Sequence, residues 1–168
     1  MTCQQCVQSP VMILSDKSGL CKSCFFDYFE RKVFRTIREY GMVEKNEHLG
    51  VAVSGGKDST TILSLLNHLV KERPDLRLTA IAVDEGIAGY RDVTLEGLKG
   101  FCQRENITLQ IFSFQDEFGA ALDELVQKFP RACSICGVLR RYVLNAKAKQ
   151  LGVTRLVTGH NLDDEAQS

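Results

Sequence analysis

Residues 51–63 read VAVSGGKDSTTIL, in which a short apolar run leads through two adjacent glycines and a lysine into a helix-forming segment. Glycines at a strand-to-helix turn let the backbone approach a ligand closely, and the N–H groups at the start of a helix can hold phosphate. Lys57 adds a positive charge, although the spacing differs from that of a Walker loop. The segment therefore predicts a phosphate-binding loop at residues 54–59. The alternative is a simple glycine turn in which Asp58 or Ser59 caps the helix.

The chain around this loop alternates between strand and helix patterns. Such alternation implies parallel strands joined by right-handed crossovers, hence a doubly wound α/β sheet. Ligands of these sheets bind beyond the carboxyl ends of the strands, where the strand order reverses. The predicted strands are Leu49–Val53, Leu76–Val83, Ile107–Phe114 and Arg155–Thr158, and the predicted helices are Asp58–Glu72, Asp92–Glu105, Glu117–Lys128 and Gly137–Leu151.

Composition limits the class of protein. The chain has 168 residues, of which 44% are hydrophobic, and Lys plus Arg equal Asp plus Glu at 21 each. A balanced charge means that any binding to nucleic acid must use local basic patches. Neither a secretion leader nor a membrane-spanning apolar run is indicated, so we expect a cytoplasmic protein without membrane contact. The segment after Thr158 ends about one turn into a predicted helix, which suggests a piece of a longer protein.

Four cysteines near the start of the chain are spaced as a metal site. Cys3-x-x-Cys6 and Cys21-x-x-Cys24 are separated by 14 residues, close to the spacing of a four-cysteine zinc ribbon. The surrounding segment has few core-forming residues, so it needs an additional stabilising element such as a bound metal ion. Redox pairs are the alternative. From Phe25 to Tyr40 the apolar residues fall at helical spacing, and Gly41 ends that helix.

A further pair, Cys133 and Cys136, lies in mid-chain beside Arg131, Arg140 and Arg141. Basic neighbours favour the thiolate, which suits both metal ligation and nucleophilic attack. From the residues alone three interpretations stay open: two ligands of a metal cluster, a disulfide or persulfide pair that acts without metal, and a structural pair.

Acidic residues follow two of the predicted strands. Asp84 and Glu85 end one strand, where they could serve the site or only cap the turn, and Arg91 follows in a loop that could be solvated or meet nucleic acid. Asp163 and Asp164 follow the last strand, where acids at a helix start favour the macrodipole.

Several motifs together resemble one family. SGGKDS resembles the signature of the PP-loop ATPases, the N-type ATP pyrophosphatases. AVDEGIAGYRD (residues 82–92), CSICGVLRR (133–141) and TGHNLDDEAQ (158–167), with the cysteine-rich start, are similar to the TtcA/TtuA group of tRNA thiolases and most similar to its cytosolic wobble-uridine branch. This resemblance covers essentially the whole chain. It implies a zinc ribbon at 1–24, a linker helix at 25–48 and a PP-loop ATPase domain at 49–168 that is incomplete at its C-terminus.

The resemblance also implies a reaction and its residues. ATP would adenylate a tRNA uridine with release of pyrophosphate, and sulfur would then displace AMP. Cys133 and Cys136 would be catalytic, as two ligands of a 4Fe–4S cluster whose third cysteine lies beyond Ser168, and Lys57 and Asp58 would also be catalytic. The implied ATP contacts are Ala52, Val53, Ser54, Gly55, Gly56, Lys57, Asp58, Ser59, Ile81, Arg140, Gly159 and Asp164, and the implied zinc ligands are Cys3, Cys6, Cys21 and Cys24.

Further implications concern cofactors and partners. ATP would bind with Mg²⁺, tRNA would be the substrate, and sulfur would come from a ubiquitin-like sulfur carrier or from another donor such as a persulfide; the pattern also allows a homodimer. Two rival functions are a PP-loop adenylating ligase that acts on another acceptor, and a zinc-ribbon adaptor whose nucleotide fold only binds a partner. The cysteine pair argues against the first, and the intact loop with Lys57 and Asp58 argues against the second.

Overall fold

The computed structural model describes residues 2–87, 89, 91–128 and 132–167, and of residues 126–128, 132–134 and 165 it describes the backbone alone. The chain divides into two compact units, Met1–Glu44 and Lys45–Ser168. Among the described residues, no helix combines the length and the apolar character that crossing a membrane would require.

The N-terminal unit consists of a small hairpin and one long helix. Strand β1 (Met12–Ile13) pairs antiparallel with β2 (Gly19–Leu20), and helix α1 spans Lys22–Glu39. The helix begins three residues before the apolar pattern does, so Cys24 lies within its first turn. No residue of α1 is fully buried. A small cluster around Leu20, Cys3 and Cys21 is the core of this unit, which shows why the segment needs additional support.

The second unit is built on one parallel sheet. Its four strands are ordered β5-β4-β3-β6, and all adjacent pairs are parallel, as the alternating pattern predicts. In chain order the elements are β3 (His48–Ala52), α2 (Lys57–Glu72), β4 (Arg77–Asp84), α3 (Arg91–Glu105), β5 (Thr108–Ser113), α4 (Phe114–Phe118), α5 (Leu122–Lys128), α6 (Ala132–Gln150), β6 (Arg155–Thr158) and α7 (Leu162–Ala166).

The two central strands form the core of this unit. Leu49 and Val51 of β3, and residues 80–82 of β4, have no exposed surface. Such continuous burial is typical of parallel strands covered on both faces. Helix α6 packs against β4, and its Val143 joins a cluster with Val83 and Phe114. Burial along β3 and β4 thus holds the carboxyl ends of these strands in fixed positions.

The strand order reverses beside β3. The chain runs from β3 through β4 to β5 on one side, and β6 then returns to pair with the other edge of β3. Ala52 is consequently in register with Ile81 on one neighbour and with Thr158 on the other. The loops that follow β3 and β6 therefore meet at the point where doubly wound sheets bind ligands.

Two predicted helices differ from the structure. The helix predicted over Glu117–Lys128 is two short helices, because Gly119 adopts a left-handed conformation with φ 71° and ends α4. Helix α6 begins at Ala132, five residues before the predicted start at Gly137. The backbone of both Cys133 and Cys136 is therefore helical, and the two residues occupy the first turns of α6.

Candidate functional site

The phosphate-loop segment joins β3 to α2 in a tight turn. Gly55 has φ 86°, and a Cβ atom there would lie 3.0 Å from the Thr94 carbonyl oxygen, so only glycine fits without strain. The Ser54 hydroxyl accepts from the N–H of Gly56 at 3.3 Å and lies 3.2 Å from the Ser59 hydroxyl. These bonds hold the turn in one shape.

The N-terminus of α2 opens this loop to a ligand. Gly56 is the N-cap residue, and no side chain caps the helix there. Asp58 and Ser59 are therefore not the N-cap that the alternative requires, while phosphate binding by the turn stays a prediction. A 16-residue helix with an uncapped N-terminus directs backbone N–H groups and positive potential toward the loop, which favours an anion such as phosphate.

Charged side chains surround the same helix start. Lys57 Nζ lies 2.9 Å from Asp58 Oδ1, and the hydrogen bond to this carboxylate raises the pKa of the Lys57 ammonium. The charge of Asp164, which follows β6, acts in the same direction. Both Lys57 and Asp58 are exposed, so their ion pair is weak and a polyphosphate can replace it.

The loop after β6 lies directly against the start of α2. A Cβ atom on Gly159 would lie 2.8 Å from both the backbone nitrogen and the Cα of Ser59. Asn161 then caps α7 by accepting from the N–H groups of Asp163 and Asp164, and the Asp164 carboxylate accepts from the Asn161 N–H at 2.8 Å. Asp163 and Asp164 therefore have the helix-start role that the sequence predicts, and Asp164 in addition influences Lys57.

A buried carboxylate just after β4 connects the phosphate loop to Cys136 of the mid-chain pair. Glu85 Oε2 lies 3.0 Å from Arg91 Nε, and its Oε1 lies 2.6 Å from Arg140 Nε. Arg91 Nη1 donates in turn to the Ser54 carbonyl at 2.6 Å. Arg91 is only 5% exposed, so it is not the solvated or nucleic-acid-binding loop residue that the sequence suggests.

Arg140 also contacts one cysteine of the mid-chain pair. Its Nη2 donates to Cys136 Sγ at 3.3 Å, one helical turn earlier on α6. Cys136 is buried in the apolar cluster that contains Val143 and Phe114. The side chain of Cys133, one of the predicted catalytic residues, lies outside the described residues, as does Arg131. The Cys136 sulfur is thus buried on its apolar side and contacted by a guanidinium on the other.

The four N-terminal cysteines converge as predicted. The Sγ atoms of Cys3, Cys6, Cys21 and Cys24 all lie within 4.8 Å of one another. Cys6 Sγ is 3.5 Å from Cys21 Sγ and 3.8 Å from Cys24 Sγ. Four sulfurs at about 2.3 Å from a tetrahedral zinc ion would be separated by about 3.8 Å. The geometry therefore fits a structural zinc site.

The pKa values in this cluster show why it favours a cation. The Ser23 hydroxyl lowers the pKa of Cys21 to about 6, and the neighbouring Cys21 sulfur raises the pKa of Cys24 to about 12. Close sulfurs cannot all become thiolates without a compensating positive charge. A divalent metal ion supplies that charge.

Comparison with known proteins decides the family. The family model described as the PP-loop domain matches residues 27–168. The chain belongs to the PP-loop family. Among curated proteins, it is 38% identical over 172 residues to the cytoplasmic tRNA 2-thiolation protein 1 of Danio rerio, a match that covers 99% of this chain and 50% of the relative.

Two solved structures share the fold of this chain. The U34-tRNA thiolase NcsA from Methanococcus maripaludis, solved with its 4Fe–4S cluster, is 37% identical with a TM-score of 0.87; the match covers 99% of this chain and 55% of that one. An NH3-dependent NAD synthetase from Campylobacter jejuni is 18% identical with a TM-score of 0.60, over 81% of this chain and 57% of the other, and shares the fold alone. The chain spans about half the length of these thiolation relatives.

The remaining predicted PP-loop residues differ in their placement. Ala52 ends β3 and Val53 follows it beside the loop, and Gly159 and Asp164 lie on the other side of the strand-order reversal. Ile81 is fully buried within the sheet, so its contact with adenine stays a prediction that its surroundings do not support. Arg140 is engaged by Glu85 and Cys136, and its ATP contact also stays a prediction.

Glu85 and Arg91 are the residues whose roles the sequence pattern did not assign. Both are almost fully buried, and they occupy the carboxyl end of β4 and the start of α3. The sequence signal that could have identified them is that both follow β4, whose carboxyl end lies at the edge of the sheet where ligands bind.

Proposed function

We propose that the protein containing this chain is an ATP-dependent tRNA 2-thiolase that acts at the wobble uridine. The observation that carries the proposal is the connection of two chemical sites within one unit: Ser54 of the phosphate loop contacts Arg91, Glu85 pairs with both Arg91 and Arg140, and Arg140 contacts Cys136. A nucleotide loop alone would serve many PP-loop enzymes. Its connection to a cysteine of a Cys-x-x-Cys pair favours sulfur chemistry, as do relatives named for tRNA thiolation.

The proposed reaction has two steps. The uridine C2 oxygen attacks the α-phosphorus of ATP, and pyrophosphate leaves with its bonding electrons. A sulfur nucleophile then attacks C2, and the C2–O bond breaks to release AMP. The N–H groups at the start of α2 and the Lys57 ammonium would stabilise the charge that develops on the phosphates in the first step. Mg²⁺ bound with ATP would contribute to the same stabilisation.

The chain has a complete ligand set for a zinc ion and part of a ligand set for a 4Fe–4S cluster. The four N-terminal sulfurs provide a complete ligand set for zinc. For a 4Fe–4S cluster the chain would supply Cys133 and Cys136, and the cationic contact at Cys136 suits an anionic thiolate ligand. When bound, such a cluster would present sulfur to the activated uridine. Its third cysteine ligand is predicted beyond Ser168.

Several further parts of the proposal rest on family resemblance. The sulfur would be delivered by a ubiquitin-like carrier or another donor, the protein would act in the cytoplasm, and two copies could associate as a homodimer. Exposed basic residues of α6 such as Arg141 and Lys149 are candidates for tRNA phosphate contacts. Lys147 is a weaker candidate because its Nζ lies 2.5 Å from Glu117 Oε1 and above the Phe112 ring.

Substitution of the phosphate-loop lysine tests the proposal. In the full-length protein supplied with ATP and a sulfur donor, we expect Lys57→Ala to reduce 2-thiouridine formation by about 100-fold or more, because it removes a charge that stabilises the transition state. Gly56→Val should have a similar effect by blocking backbone approach. The readout is mass spectrometry of digested tRNA. Lys71→Ala is the matched control, since Lys71 lies in the last turn of the same helix and pairs with Glu105.

The same assay separates the rival functions. If Lys57→Ala thiolates tRNA at the parent rate, the phosphate-loop assignment is wrong. Lysine-dependent release of pyrophosphate without thiolation, in the presence of another acceptor, would indicate an adenylating ligase. Nucleotide binding with neither product would indicate an adaptor.

A further inference from the structure

The carboxylate of Glu85 is the most deeply buried charge between the phosphate loop and Cys136. Its side chain is 5% exposed, and each of its two oxygens meets a different guanidinium. The Glu85 carbonyl also accepts from the Leu122 N–H at 2.7 Å, which fixes the backbone. The next residue, Gly86, has φ 73° and packs so closely that a Cβ atom would lie 2.7 Å from Ala121 Cβ. The position of Glu85 is thus fixed twice, by the packing of its backbone and by the two ion pairs of its carboxylate.

The two arginines depend on Glu85 to different degrees. Arg91 has independent anchors, because it donates to the carbonyls of Val83 and Ser54 and its side chain is only 6% exposed. The Arg140 side chain is 44% exposed, and among the described residues its guanidinium contacts the Glu85 carboxylate and the Cys136 sulfur. Loss of the carboxylate would therefore leave Arg91 in place and release Arg140 toward solvent, since a long exposed side chain gains rotamer entropy when a partner is lost.

We propose that Glu85 is a positioning residue for sulfur transfer: it holds the Arg140 guanidinium on Cys136 and, through Arg91, keeps that contact in register with Ser54 of the phosphate loop. This inference rests on the proposed thiolase function. Glu85 itself need not touch substrate. Its contribution is to orient the hydrogen bond that Arg140 donates to the Cys136 sulfur, and hydrogen bonds from a charged donor are short-range and directional. The effect should therefore fall on the step that uses the sulfur more than on nucleotide binding.

Kinetics of Glu85→Gln in the full-length protein test this inference. We expect the kcat for thiolation to fall by about 10- to 100-fold. This range is typical of residues that hydrogen-bond to a functional side chain and orient it without touching the substrate. The KM for ATP should stay within about threefold, because Arg91 and the phosphate loop keep their own bonds and the role proposed here for Arg140 is its bond to Cys136 rather than the ATP contact that the family resemblance implies. Glu47→Gln is the matched control: Glu47 also forms an ion pair, with Arg155 at 2.6 Å, but at the opposite, amino-terminal edge of the sheet.

A double-mutant cycle with Arg140→Gln distinguishes positioning from general destabilisation. If Glu85 acts through Arg140, the double variant should have the kcat of Arg140→Gln alone. Losses that multiply would overturn the proposal, as would a parent-like kcat in Glu85→Gln or a rise in the KM for ATP with kcat unchanged.

A second variant covers the case in which Glu85→Gln does not fold. Glu85→Asp keeps the buried charge but is one methylene too short to reach both guanidinium groups, so it should reduce kcat in the same way and leave the KM for ATP unchanged. If neither Glu85 variant folds, the kcat of Arg140→Gln tests the proposal. A reduced kcat is expected, and a parent-like kcat would refute the role of the Arg140 contact with Cys136.

Arginine Nε–Hε signals in NMR spectra provide a readout that needs no turnover. The Arg140 signal should be slowly exchanging in the parent and in Glu47→Gln, and lost to exchange in Glu85→Gln. Failure of the parent to thiolate tRNA would refute the proposed function. An Arg140 signal that is unchanged in Glu85→Gln would instead refute the positioning role, whatever the reaction.

Discussion

The N-terminal unit and the PP-loop unit each carry Cys-x-x-Cys spacings, and they hold the sulfurs by different means. In the first, four Sγ atoms lie within 4.8 Å of one another in a segment whose core is one small cluster. In the second, Cys136 is part of a large apolar cluster, and its sulfur receives a bond from Arg140. Identical spacing thus occurs both where four sulfurs surround one another and where a guanidinium faces a single buried sulfur.

The largest effect that would test this contrast is expected from Cys136→Ala in the full-length protein. Thiolation should fall by about three orders of magnitude, as when a nucleophile or one member of a catalytic group is removed. The zinc content should be unchanged. The measurements are 2-thiouridine by mass spectrometry, iron and zinc by elemental analysis, and the cluster absorbance after anaerobic reconstitution.

The same experiment can contradict the assignment of the cluster. Full thiolation by iron-free parent protein would refute it and favour a persulfide on the pair. Loss of zinc in Cys136→Ala would show that the two cysteine regions are not independent.

Cys21→Ser tests the other side of the comparison. We expect the protein to lose about one zinc ion per chain, because a four-sulfur structural site is incomplete without one ligand. The N-terminal unit should then lose protection from hydrogen exchange, while the affinity for ATP changes by less than about twofold, since the residues of the phosphate loop lie in the other unit.

Cys102→Ala is the matched control for zinc binding. Cys102 is buried within α3 of the PP-loop unit, and burial raises the pKa of its thiol. This variant should retain all of its zinc. Equal zinc content in Cys21→Ser and Cys102→Ala would refute the ribbon.

A smaller effect, on ATP affinity, is expected where the loop after β6 approaches the backbone of α2 in the second unit (Lys45–Ser168). In Gly159→Ala the new Cβ would lie 2.8 Å from the Ser59 backbone, so one of the two loops must move. Overpacking of this kind costs about 1–3 kcal/mol, which corresponds to a loss of about 5- to 150-fold in ATP affinity if ATP binding needs this loop geometry. Isothermal titration calorimetry with ATP measures this change in affinity.

Gly97→Ala serves as the control for that substitution. Gly97 lies within helix α3, and a Cβ there meets no atom within 4 Å. Its ATP affinity should match the parent. Parent-like affinity in Gly159→Ala as well would mean that the β6 loop does not contribute to the nucleotide site.

Local sequence patterns predicted the sheet, the phosphate loop and the ribbon because each depends on residues close together in the chain. Strand and helix periods alternate visibly, the glycines and Lys57 are contiguous, and the four N-terminal cysteines are spaced in pairs. The start of α6 was predicted five residues late because no residue of a common N-cap type directly precedes Ala132 and the cysteine motif was not included in the helical pattern.

The Glu85 contacts could not be predicted in the same way. They join the end of β4 to α6, across a large separation in sequence, and depend on how α6 packs against β4. Arg91 follows Gly89 and was interpreted as a loop residue, but it starts α3 and its side chain turns into the protein. Pairing of buried charges is a property of tertiary structure, and a single sequence contains no periodic signal for it.

The pairing of β3 with β6 has a consequence for synthesis of the protein on the ribosome. His48 on β3 bonds to Thr154, just before β6, across a separation of 106 residues. At about 5–20 residues per second, roughly 5–20 s pass between the emergence of the two segments. During that interval one side of a strongly apolar strand has no partner, and unpaired strand edges are sites of aggregation. Pairing with the late-emerging β6 is therefore the step that covers this side of β3.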